Sequence, residues 1–127
     1  MLFRSHQQYK HFLEGMPCHQ GIVVKRSLML ENPYSDAFSV SADWHQLLTL
    51  VAAGHRVQMM DHYLSWYPNG GFSYQNSSRW IEDVCSIVSH FSGSPELANR
   101  YFSEALEEHS RITSKRQAIR TLIRERL

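Results

Sequence analysis

The sequence predicts a mainly α fold: a single helical domain of about five helices carrying a small N-terminal antiparallel β-hairpin, with an α+β arrangement as the alternative. Three observations lead there. Apolar residues recur at three- and four-residue intervals through most of the chain, glycines and prolines punctuate those segments, and one β-branched cluster breaks the helical pattern. No internal repeat, low-complexity tract or linker divides residues 1–127, so a single domain is expected.

Residues 5–14 read as a short helix stopped by Gly15, with Pro17 beyond it. Ile22-Val23-Val24 and Leu28-Met29-Leu30 flank Lys25-Arg26, a pattern suited to a strand over Gly21–Leu30. Asn32-Pro33-Tyr34-Ser35-Asp36 supplies a turn, and Ala37–Val40 a short returning strand. Such a hairpin needs helices behind it, because two strands alone are marginal. Ser41 is placed as an N-cap with Asp43 in the first turn; Trp44, Leu47, Leu48 and Val51 share one face, and Gly54 ends the helix.

Residues 55–67 fit a helix better than a strand. Val57, Met60, Tyr63, Leu64 and Tyr67 fall on one side of a helical wheel, whereas strand alternation mixes Arg56, Gln58 and His62 with Met60, Leu64 and Trp66. Pro68-Asn69-Gly70-Gly71 breaks the chain, and Phe72–Gln75 reads as a short extended piece. Trp80, Ile81, Val84, Ile87, Val88 and Phe91 then form a wide apolar face opposite Arg79, Glu82, Asp83, Ser86, Ser89 and His90, closed by Gly93. Ser94-Pro95-Glu96 opens another helix with cap, proline and early acid, turning Leu97, Ala98, Tyr101, Phe102 and Ala105 inward. Thr113 or Ser114 begins the last helix, with Gln117 completing a capping-box pattern and Ala118, Ile119, Leu122 and Ile123 as its buried face.

Charge is divided unevenly along this plan. Residues 111–127 hold six of the thirteen Lys and Arg residues against one acid, a local charge of +5. The first 110 residues hold seven bases and eleven acids, a charge of −4. Arg116, Arg120 and Arg124 recur every four residues beside Lys115, and none has an acid four residues before it. Such a stripe attracts phosphates, because each cationic contact releases condensed counterions whatever the base sequence. The expected function is therefore that of a small non-enzymatic binding or regulatory protein. Its basic C-terminal helix contacts an anionic partner through Lys115, Arg116, Arg120 and Arg124, nucleic acid first and an acidic protein surface second. The competing account is a solvated stripe favoured by the helix macrodipole and paired with Glu104, Glu107 and Glu108. A homodimer exchanging Glu104 or Glu108 with Arg120 or Arg124 is a further alternative, within a protein-binding adaptor or inhibitor.

Tyr63, Trp66, Tyr67, Phe72 and Tyr74, with Trp80 nearby, crowd the Asn69-Gly70-Gly71 turn. An exposed cluster of this kind suits a protein interface, a base-stacking surface or a pocket wall. The more economical expectation is that most of these rings are core, with Trp66 and Trp80 packing the connection onto the domain.

No metal or cofactor is expected. The eight histidines include no His-x-x-x-His pair, and Cys-x-x-Cys and glycine-rich phosphate loops are missing. An enzyme or small-ligand protein using the aromatic segment with His62, His45 or Cys18 is the remaining alternative; the chain shows no aligned nucleophile and base to prefer it. Cys18 and Cys85 read as free thiols in a cytoplasmic protein, one of them buried, since the first residues lack the apolar stretch of a secretion signal. No apolar run spans a bilayer, so no membrane partner is expected.

Overall fold

The computed structural model describes residues 5–15, 17–66, 72–94 and 96–100, together with 103–104, 107 and 110–111. Among these residues the fold is mainly helical: α1 (Ser5–Glu14), α2 (Arg26–Glu31), α3 (Ala42–Ala52), α4 (Phe72–Gln75) and α5 (Ser77–Ser92), with a 3₁₀ turn at His19–Gly21. Residues 96–100 are helical as well. The expected last helix from Thr113 or Ser114 lies outside the described residues, as do Tyr101, Phe102 and Ala105.

The core forms where α1, α3 and α5 meet. Phe12 and Leu13 come from α1, Trp44, Leu47, Leu48 and Val51 from α3, and Val84, Ile87 and Val88 from α5, with Ala98 packed beside them. These are the faces that three- and four-residue spacing dictates. Helix α1 touches both α3 and α5. Trp44 Nε1 donates to the carbonyl oxygen of Phe12 at 2.7 Å, so the largest buried ring has its polar edge satisfied. The Tyr9 hydroxyl donates to the Phe91 carbonyl and ties α1 to the end of α5.

Helix ends follow their local chemistry. Gly54 adopts φ +90°, a left-handed conformation that costs a side chain energy. Its N–H donates to Val51 O at 3.0 Å and that of His55 to Leu50 O at 3.0 Å, the paired bonds of a Schellman motif. Gly93, at φ +64°, ends α5 with its N–H on Ser89 O. At the next helical segment Ser94 Oγ accepts the Leu97 N–H at 3.2 Å.

The start of α3 departs from expectation. Ser41 occupies the N-cap position, yet its side chain makes no cap hydrogen bond. Instead Asp83, from the middle of α5, places Oδ2 to accept the N–H groups of Val40 at 2.8 Å and Ser41 at 3.0 Å. Asp83 was expected on the exposed side of α5 and is buried. A carboxylate satisfying two orphan donors at a helix N-terminus has both hydrogen bonding and the macrodipole in its favour.

Four other expectations are corrected. The N-terminal hairpin does not form: among the described residues there is no strand beyond an isolated bridge at Gln58. Residues 22–25 are extended, as their β-branched character favours, but among the described residues no strand pairs with them, and Arg26–Glu31 coils into α2. Leu, Met, Arg and Glu are good helix formers, and they prevail once the ladder is missing. The helix expected over 55–67 is not formed in its described part, residues 55–66. Phe72–Gln75 is a helical turn rather than an extended piece. Trp80 stands at the exposed edge of α5 instead of in its buried face.

The Asp83 contact gives a direct test of this packing. Replacing Asp83 with Ala strands two backbone donors and is expected to cost about 2–3 kcal/mol in urea unfolding, with a smaller loss for Asp83→Asn. A loss under about 0.5 kcal/mol for Asp83→Ala would contradict the capping role.

Candidate functional site

Residues 55–66 are irregular because a polar pairing holds them to α1. The Gln8 side chain, fully buried on α1, donates from Nε2 to the Val57 carbonyl at 2.6 Å. It accepts the Val57 N–H through Oε1 at 3.2 Å. A carboxamide thus takes both backbone groups of one residue, as a neighbouring strand would. A helix over these residues would need the Val57 carbonyl to accept the Asp61 N–H.

The clamped segment and the extended stretch 22–25 form two walls over α3. Between them lies a groove of about 520 Å³, floored by Phe12, Leu47, Leu50 and Val51. Val23, Met59, Met60 and Leu64 line it and are exposed, so the apolar surface continues from the floor onto the rim. Lys25, His55, Arg56 and His62 also line it, and among the described residues no Asp or Glu does. Among the described residues neither Lys25 nor Arg56 has an ion-pair partner. A smaller recess of about 150 Å³ on the other side of Ile22 and Val24 is bordered by His19 and Asp43, whose Nδ1 and Oδ2 lie 3.1 Å apart.

The expected interface residues divide three ways. Tyr63, Trp66 and Phe72 are exposed, which corrects the expectation that most of the aromatic cluster is core. Clamping at Val57 turns neither Tyr63 nor Trp66 into the groove, although Leu64 between them lines it. Tyr74 is in α4, and its side chain, like Tyr67 as a whole, lies outside the described residues. Lys115, Arg116, Arg120 and Arg124 also lie outside them. Of the acids proposed to neutralise that stripe, Glu104 has Arg100 Nε at 3.7 Å one turn away.

The residues weighed for an enzyme are dispersed. His45 stacks on Phe38 at 4.6 Å, with the His90 ring 6.3 Å away. Burial, and after it the nearby His90, lowers the His45 pKa. Cys18 is exposed, while Cys85 is half-buried and burial raises its thiol pKa. Among the described residues no hydrogen bond or ion pair joins Cys18, His45 and His62, and no group of three or more His, Cys, Asp or Glu is placed to hold a metal ion. No helix of the described residues is long and apolar enough to cross a membrane.

Sequence reasoning missed Val23, Lys25, Arg56, Met59 and Met60 as groove residues. One signal was available. Residues 57–66 contain six large apolar side chains, and strand alternation splits them three and three, so no single sheet face could bury them. Comparison with family models, curated proteins and solved structures found no match, so the site rests on its own geometry.

The His45 surroundings predict a pH dependence. With its folded pKa depressed, His45 takes up its proton more readily in the unfolded chain, whose value is about 6.5. Stability is therefore lost as pH falls through about 6.5 and levels off below the folded pKa. His45→Phe keeps a ring on Phe38 and removes that proton, so urea unfolding at stepped pH should show a shallower acid loss than wild type. An unchanged slope would contradict the assignment.

Proposed function

We propose that the protein is a small non-enzymatic binding protein that contacts an anionic partner, nucleic acid first, through Lys115, Arg116, Arg120 and Arg124. The observation that carries this reading is the segregation of charge, +5 over residues 111–127 against −4 over the rest. Phosphate contact by such an array needs no base recognition, and an acidic body keeps that binding confined to one end. The exposure of Tyr63, Trp66 and Phe72 supports a second contact area, since bases stack on aromatic faces with little sequence preference.

Two further observations weigh against the alternatives. The Arg100–Glu104 contact gives Glu104 a partner four residues away in the chain, which competes with exchange to Arg120 or Arg124 of a second copy. Among the described residues Cys18, His45 and His62 are not brought into contact, which weighs against an enzyme that would use these three.

Fluorescence anisotropy with mixed-sequence DNA and RNA probes across a salt series tests the proposal. Wild type should bind with an affinity that falls steeply as salt rises. The Arg116→Ala/Arg120→Ala/Arg124→Ala variant should bind more weakly, with the log–log salt slope reduced by about 2–3. An unaltered slope in a folded variant would place the contact elsewhere, and no binding by wild type at low salt would end the nucleic-acid reading.

A further inference from the structure

Beyond that basic C-terminal stripe, and independently of it, the groove over α3 has the chemistry of a second site. Its floor is made by Phe12, Leu47, Leu50 and Val51, side chains that also belong to the domain core. Because they are fixed by core packing, the floor is formed before anything binds, and little ordering entropy opposes an occupant. The wall that carries Val57 is held by two hydrogen bonds from Gln8. The site is therefore a preformed apolar channel.

Its rim decides what can fill it. Val23 is 76% exposed, Met60 54% and Met59 47%, although all three line the groove. A small amphiphile settled on the floor would leave these side chains in water, whereas a longer apolar stripe would cover floor and rim together. Adjacent methionines suit that task, since a flexible thioether adapts to irregular partners. Charge gives the second constraint. Lys25 and Arg56 stand at the groove with no acid among its lining residues and no ion-pair partner among the described residues. His55 and His62 line the groove as well. Asp61, next to His62 in the chain, does not line the groove.

We infer that this groove binds an acidic, amphipathic segment of a partner protein, with apolar residues seated on α3 and carboxylates meeting Lys25 and Arg56. The arrangement is that of a helix laid in an apolar groove, with rim charges selecting the sign of the partner.

The test uses an amphipathic peptide of about 18 residues, with Leu at i, i+3, i+4 and i+7 and Glu at the exposed positions. A twin carries Lys in place of every Glu. Binding is followed by calorimetry and by the NMR methyl signals of Met59 and Met60. The Glu peptide should bind one to one and shift both methyl signals, and the Lys twin should bind at least about tenfold more weakly. Lys25→Glu/Arg56→Glu should reverse that preference, and Val23→Ser/Met60→Ser should weaken the Glu peptide about fivefold or more. All four substituted side chains are exposed, and each variant is first to be checked for folding by circular dichroism. Arg116→Ala/Arg120→Ala/Arg124→Ala should leave this binding unchanged, which separates the groove from the nucleic-acid contact.

Equal affinity for the two peptides, or no effect of the charge reversal, would overturn the inference, as would absence of binding. So would displacement of the peptide by single-stranded DNA or by laurate, which would assign the groove to a polyanion or a small amphiphile. Self-association of the protein that Val23→Ser/Met60→Ser abolishes would assign it to a second copy.

Discussion

The carboxamide of Gln8 reaches out of α1 and takes both backbone groups of Val57, 49 residues along the chain. Burying such a group unpaired costs roughly 1–3 kcal/mol, and here both of its polar atoms have partners. Half-buried Val57 also packs against the core and adds an apolar attraction between residues 55–64 and the helices. That attraction is non-directional and does not choose which residue sits where. The two hydrogen bonds do choose. By fixing Val57 they place Met59, Met60 and Leu64 at the groove, and so give it its wall.

A similar division of labour operates at the other end of α3. Packing of Trp44, Leu47, Leu48 and Val51 holds the helix in the core, while Asp83 of α5 fixes where it begins by accepting the N–H groups of Val40 and Ser41. The Schellman bonds at Gly54 fix where it ends, immediately before the chain turns into the clamped segment. Helix α3 is thus both part of the core and the groove floor, and its position is set at each end by directed contacts. A binding surface built from loops gains its definition from such a scaffold.

Much of the helical frame was legible because local chemistry decides it. The end of α1 before Gly15, the inward face of α3, and the stops at Gly54 and Gly93 follow from spacing and glycine alone. What escaped depends on contacts far apart in sequence. Ile22-Val23-Val24 does prefer extended backbone, but a strand exists only if another pairs with it, and Ala37–Val40 does not. Residues 55–66 satisfy a helical wheel in their apolar spacing, yet Gln8, an ordinary surface residue by type, claims Val57 for a different conformation. Asp83 looks like a solvated acid beside Glu82 until the start of α3 is placed against it. The groove was not legible, and the aromatics singled out from the sequence stand outside its described lining. The exposed Tyr63, Trp66 and Phe72 were among the aromatics singled out, whereas Lys25 and Arg56 become neighbours of one groove only once residues 22–25 and 55–64 are laid over α3.

The claim on which this account stands is that Gln8 holds residues 55–64 in place through Val57. Native-state hydrogen exchange at the Val57 amide, followed by NMR in wild type and Gln8→Leu, tests it most directly. At least about tenfold protection is expected at Val57 in wild type and is lost in the variant, while core amides such as Leu48 and Val88 remain protected in both. A Val57 amide that exchanges freely in wild type, or that stays protected in Gln8→Leu, would contradict it.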